Sequence, residues 1–116
     1  MAAKLDYVEL PSLTAHELTR AFYAKAFGWS FVDYGPDYAA GSTGAAELGL
    51  NGSPEDALSA PLPVIRADDL EAAFDAIVKA GATIARPIFD YPGGRRFHFI
   101  DPSGSELAVY RPEDAA

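Results

Sequence analysis

The chain contains no cysteine, one tryptophan, one methionine and two histidines among its 116 residues. Without cysteine there is no disulfide, no thiolate nucleophile and no cysteine-based zinc site, and the sequence carries no mark of its redox compartment. Positive charge is scarce too: nine Lys and Arg stand against seventeen Asp and Glu, a net charge of -8. A surface of that sign is repelled by nucleic acid and by anionic membranes, which leaves small molecules and proteins as partners. No apolar run approaches the ~20 residues of a membrane span, and "MAAKLDYVEL" lacks the apolar segment of a secretory signal. The cytoplasm is therefore the expected location. What the chain does have is 49% hydrophobic residues, enough at this length for a single domain, residues 1–116, with one core.

The order of elements reads as a pattern used twice. "LDYVEL" alternates and ends at Pro11, as a short strand does. Thr14 and Glu17 have the spacing of a capping box, and Leu18 and Phe22 continue at helical spacing until Gly28. "WSFVDY", "DYAAGS" and "AAELGL" then read as three strands. Residues 51–61, "NGSPEDALSAP", have the composition of a surface linker. After it "LPVIRA" is a strand, Asp68 and Glu71 form a second capping-box candidate, and Leu70, Phe74, Ile77 and Val78 make a helical stripe ending at Gly81. "ATIARPIF", "RRFHFI" and "ELAVY" complete three more strands. The expected fold class is thus α+β, with βαβββ units at about 4–50 and 62–111. One apolar stripe per helix places each helix on the outer face of a curled mixed sheet and leaves a cleft on the other.

Two stretches carry a resemblance: "YVELPSLTAHELTRAFYAKAFGW", with its "FY…FGW" ending, and "GGRRFHFIDPSGSELAVY", with its "DPSGSE" turn. Together with the duplicated βαβββ pattern they resemble the glyoxalase/bleomycin-resistance/dioxygenase superfamily, also called vicinal oxygen chelate, over about residues 5–111. The resemblance implies a divalent metal held by His, Gln or Glu near the start of the first strand and on the last strand of each unit. It also implies lyase or isomerase chemistry where a member is an enzyme. Counting from the motifs, those seats fall on Tyr7, near Leu62, on Glu47 and on Ala108, and only Glu47 has a ligating side chain. No metal cofactor is therefore expected. The alternative is a displaced metal set of Glu9, Glu47, His98 and Glu106, which requires ligands to move ~6.6 Å along their strands.

The candidate ligand-binding residues are Tyr7, Glu9, Arg96, His98, Glu106 and Tyr110. His98 alternates with Phe97 and Phe99, so it should share the cleft face with Arg96, and its neutral-range pKa makes it the candidate acid or base. Arg96 offers a planar fork for a carboxylate, phosphate or enolate oxygen, or else an internal partner for Glu9 or Glu106. The plain reading of His98 is a half-exposed sheet residue, and of His16 a solvated one. Arg95 faces away and is structural. The functional expectation is a glyoxalase-like protein that binds a small anionic or aromatic molecule without metal. The alternative is a lyase or isomerase of the glyoxalase type, with His98 and Arg96 as its catalytic residues.

Two units with one helix each leave much surface uncovered, and the resemblance also implies dimers, so a C₂ homodimer is expected. The linker at 51–61 is long enough to return within one chain or to cross to a neighbour, and since nothing forces exchange, an unswapped pairing is expected.

Overall fold

The computed structural model describes residues 1–113. Its contacts divide the chain into two compact units, Asp6–Leu62 and Met1–Leu5 with Pro63–Ala116. The fold class is α+β, with eight strands and two helices among the described residues, in the order βαβββ, βαβββ.

The 6–62 unit contains most of β1 (Ala3–Pro11), then α1 (His16–Phe27), β2 (Val32–Asp33), β3 (Tyr38–Ser42) and β4 (Glu47–Asn51). Its strands lie in the order β2-β3-β4-β1, with β1 parallel to β4 and the other pairs antiparallel. The expected strand "WSFVDY" shrinks to two residues, and just before them the Phe31 carbonyl accepts from Arg20 at 3.0 Å. Asn51 and Gly52 are buried, so the segment expected to be a linker begins inside β4. The Asn51 side chain organises the bend after β4: its Nδ2 donates to the Asp56 carbonyl at 3.0 Å and its Oδ1 accepts from Ser53 N at 2.9 Å.

α1 departs from the expected picture in two ways. Its N-cap is Ala15, with no side-chain hydrogen bond, so Thr14 and Glu17 form no capping box. Leu18 and Phe22, the expected core stripe, are 76% and 59% exposed, and α1 buries no residue. The side of the helix about 200° from both carries Arg20, which with His16, Thr19, Tyr23 and Ala24 is half-buried. Arg20 donates to Asp33 at 2.9 and 3.2 Å, and the Leu18 and Phe22 side faces outward. The helix still ends at Gly28, whose φ of 73° is the left-handed exit that the sequence signalled.

The second unit holds all but the first residue of β5 (Leu62–Ala67), then α2 (Leu70–Lys79), β6 (Thr83–Tyr91), β7 (Gly94–Ile100) and β8 (Glu106–Pro112), in the strand order β5-β8-β7-β6. β5 is parallel to β8, and the β7 pairs are antiparallel. Here the helix packs as expected: Leu70 and Ala73 meet Phe97, Phe99, Val109 and Ala67, with Phe74 edge-on to Phe97 at 5.1 Å. The cap is Asp69, which accepts from Ala72 N at 3.0 Å. Asp68, the expected cap, instead accepts from Ala2 N at 2.8 Å. The β7–β8 turn is as expected, with Asp101 Oδ1 accepting from Ser103 N and Ser105 N, both at 2.9 Å.

Candidate functional site

Strand parity sorts the chemistry of the second unit onto one face. Phe97 and Phe99 turn toward α2 and are buried in the core, so His98 and Arg96 turn the other way. His98 lies beside Ala108 of β8 and Arg86 of β6, and Arg96 beside Tyr110 of β8 and Phe89 of β6. The candidates Arg96, His98 and Tyr110 thus share one strand face. Glu106, at the start of β8, reaches in from an exposed position: its Oε2 is 2.8 Å from His98 Nδ1.

His98 is not the half-exposed residue of the plain reading. It is 4% exposed. Burial pushes its pKa below the ordinary histidine value; the Glu106 hydrogen bond pulls it back up, while the positive charges of Arg96 and Arg86 lower it. The imidazole is therefore neutral at neutral pH. A carboxylate only accepts, so Nδ1 carries the proton and donates it to Glu106, and the lone pair stands on Nε2. That Nε2 is buried and has no hydrogen-bond partner. An imidazole held in this way can accept a hydrogen bond, take a proton, or ligate.

Phe89 and Arg86 join this face through an irregularity in β6. Between the partners Arg86↔His98 and Phe89↔Arg96, β6 advances three residues while β7 advances two. The extra residue is a bulge, and it brings two side chains to one face that regular alternation would put on opposite faces. Pro87 lies within it, where a missing backbone N–H does least harm to the ladder. The Arg86 guanidinium stacks 3.6 Å from the Phe89 ring centre, and that of Arg96 lies 5.5 Å from the same ring and 5.5 Å from Tyr91. Sequence reading missed both Arg86 and Phe89. The available signal was Pro87 inside an apparent strand, which marks a bulge but does not show its register.

In the 6–62 unit, Tyr7 on β1 and Tyr38 on β3 meet hydroxyl to hydroxyl at 2.5 Å. Glu9 is 2% exposed and interacts with Tyr38. Burial, then the nearby charge of Glu9, raises the Tyr38 pKa far above the phenol range, so Tyr38 stays protonated and serves as a donor. Gly49 makes this meeting possible: a Cβ there would collide with both hydroxyls. Glu47 pairs in register with Tyr7 and is exposed. His16, expected to be solvated, is half-buried, with Nδ1 2.7 Å from Ser12 Oγ and its ring against Gly52. Arg95 pairs with Glu71 at 3.0 Å and with Asp90 at 3.4 Å.

The residues at the inherited metal seats do not fit a divalent ion. Ala108 and Leu62 have no donor atom, and the Tyr7 hydroxyl is committed to Tyr38. Among the described residues no three His, Cys, Asp or Glu side chains come together as a metal-holding group.

The model of the Glyoxalase/Bleomycin resistance protein/Dioxygenase superfamily matches residues 14–109. The chain belongs to that superfamily. It is 28% identical over 121 residues to the "Putative glyoxylase CFP32" of Mycobacterium tuberculosis, covering 91% of this chain and 44% of that protein. The chain thus spans less than half the length of this curated relative. Among solved structures, methylmalonyl-CoA epimerase from Mycobacterium tuberculosis superposes with a TM-score of 0.71 at 16% identity, over 93% of this chain and 87% of that one. An NAD-dependent benzaldehyde dehydrogenase from Legionella pneumophila superposes with a TM-score of 0.76 at 14% identity, over 92% of this chain and 98% of that one. Two such different proteins on one fold show why the fold alone assigns no activity to this glyoxalase-superfamily chain. No helix of the described residues is long and apolar enough to cross a membrane.

Proposed function

We propose that this chain binds a small anionic molecule on the β6–β7–β8 face, without a divalent metal. Arg96 receives the anionic group and His98 faces the rest of the molecule. The observation that carries this reading is the buried, unpartnered Nε2 of His98, whose ring is held by Glu106 at 2.8 Å. A buried nitrogen left without a partner is unfavourable by about 1–3 kcal/mol, and a ligand hydrogen would relieve it. Tyr110 lines the same face, beside Arg96 in register. Tyr7 and Glu9 lie in the other unit, where Tyr38 meets both.

The second reading is catalytic: a lyase or isomerase of the glyoxalase type. It is favoured by the neutral state of His98, which has a free lone pair at pH 7 for removing a proton, with Arg96 steadying the resulting enolate oxygen. Glu106 would hold the ring and stabilise the imidazolium that forms. A cytoplasmic homodimer completes the proposal. The uncovered Leu18, Phe22 and Phe27 of α1 support it, because large apolar groups at such exposure suit an interface.

The deciding experiment is calorimetric titration with small carboxylates before and after Arg96→Ala. A loss of about 1.5–3 kcal/mol, the range of a charge-assisted hydrogen bond, is expected. An unchanged affinity would move Arg96 to a structural role. Elemental analysis of untagged protein should find well under one divalent metal per chain, and one per chain with stability lost on chelation would end the metal-free reading. Light scattering at micromolar concentration should return twice the 12.3 kDa chain mass.

A further inference from the structure

Carboxamide side chains are almost missing from this chain: it has no glutamine and one asparagine, Asn51, and the residue after it is Gly52. That order is chemically labile. With no side chain on Gly52 to hinder the approach, its backbone nitrogen can attack the side-chain carbonyl carbon of Asn51. The nitrogen gives up its hydrogen, the Cγ–Nδ2 bond breaks, and ammonia leaves with that proton. Water then opens the resulting cyclic imide on either side, giving aspartate or isoaspartate.

The fold uses both residues. A Cβ on Gly52 would stand 2.9 Å from His16 Nδ1, so the position favours glycine, and the Asn51 amide ties the bend after β4 with both its ends. The same contacts shield the pair. Asn51 is 4% exposed and Gly52 is buried. The attacking group is engaged, since the Gly52 N–H donates to the Asp37 carbonyl at 2.7 Å. The leaving group is engaged as well: Nδ2 donates to the Asp56 carbonyl at 3.0 Å while Oδ1 accepts from Ser53 N at 2.9 Å. On the other side, the Asn51 carbonyl accepts from Ser12 N at 2.8 Å.

We propose that Asn51–Gly52 is a latent self-modification site, kept intact by the closed bend at 51–56 and converted to aspartate or isoaspartate while that bend is open. Ring closure must break the Gly52–Asp37 bond and turn the amide away from Ser53 and Asp56, so the folded chain reacts at the intrinsic rate multiplied by the open fraction. Conversion runs one way. A carboxylate at this position has no hydrogen for the Asp56 carbonyl, and isoaspartate inserts a backbone carbon where Asn51 pairs with Pro11 of β1 and Tyr38 of β3. Tyr38 is the residue that meets Tyr7, so the damage starts one strand pairing away from that contact.

Because Asn51 is the sole carboxamide side chain, ammonia release and the mass gain of the intact protein report on it alone. The full chain and a synthetic peptide of residues 45–58 are incubated side by side in one mildly alkaline buffer. The chain is expected to convert at least about a hundredfold more slowly than the peptide. Ser53→Ala, which removes the Oγ that accepts from Asp56 N at 3.2 Å, should speed conversion of the chain about threefold and leave that of the peptide unchanged. Chain and peptide rates within about threefold of each other overturn the shielding, and an unchanged chain rate in Ser53→Ala overturns the bend as its gate. Should Ser53→Ala fail to fold, urea below the unfolding transition takes its place. Acceleration while the Trp29 fluorescence is still native supports local opening; a rate that rises only in step with the Trp29 signal overturns it.

Discussion

The two units repeat one order of elements, yet they solve the packing of their helices differently. α2 buries Leu70 and Ala73 against Phe97, Phe99 and Val109, and it is capped by Asp69. α1 has an equally regular stripe at Leu18 and Phe22, but it buries nothing and lacks a side-chain cap. What separates them is where the anchoring side chain stands. In α1 the half-buried side holds His16, Thr19, Arg20, Tyr23 and Ala24, with Arg20 paired to Asp33, opposite the apolar stripe; in α2 the apolar side itself is the buried one. An apolar stripe therefore says that a surface wants covering. It does not say by what.

The sharpest break of this comparison is a pair of truncations read by denaturation with the single Trp29 as reporter. Phe97→Ala should cost about 3–5 kcal/mol, as removal of a fully buried ring does. Phe22→Ala, at low protein concentration, should stay within about 1 kcal/mol. A smaller gap would mean that α1 is covered after all. Next in size is Gly49→Ala, which must force the Tyr7 and Tyr38 hydroxyls apart and should cost about 1–3 kcal/mol. Then come the caps. Asp69→Ala is expected to lose about 1 kcal/mol and Thr14→Ala almost nothing, and equal losses would restore the capping box at α1.

The smallest effects are in titration. The folded His98 takes up its proton less readily than the unfolded chain, so the unfolded state binds more protons in that window and stability rises with pH. This contribution is intact above pH 6.5 and is lost as the pH falls from there toward the lower folded midpoint. The NMR midpoint of His98 should lie below 6.5, fall further in Glu106→Gln, and rise in Arg96→Gln. A shift of either variant in the opposite direction would reverse the assigned causes. His98→Gln should flatten the acid limb of the stability curve relative to the native chain.

Period and punctuation made most of the fold legible: alternation placed β1, β7 and β8, Gly28 ended α1, and "DPSGSE" closed the β7–β8 hairpin. Alternation also put His98 with Arg96, because β7 and β8 are regular through that stretch. It failed at β6, where the count of residues no longer tracks the face, and so Arg86 and Phe89 went unseen. Neither the burial of His98 nor the Tyr7–Tyr38 contact could be read from local pattern, since both depend on neighbouring strands and on Gly49 having no side chain.

The bulge that gathers Arg86 and Phe89 also decides how β6 meets other chains. β6 ends the strand order of its unit, and an exposed outer strand invites a foreign strand to extend the ladder, which is how sheets polymerise. Pro87 withholds one donor from any such visitor, and the uneven advance of β6 spoils the register of the rest. The residue that sits in this bulge is thus also a guard against fibre growth, and replacing Pro87 with valine should show up first as turbidity on prolonged warming.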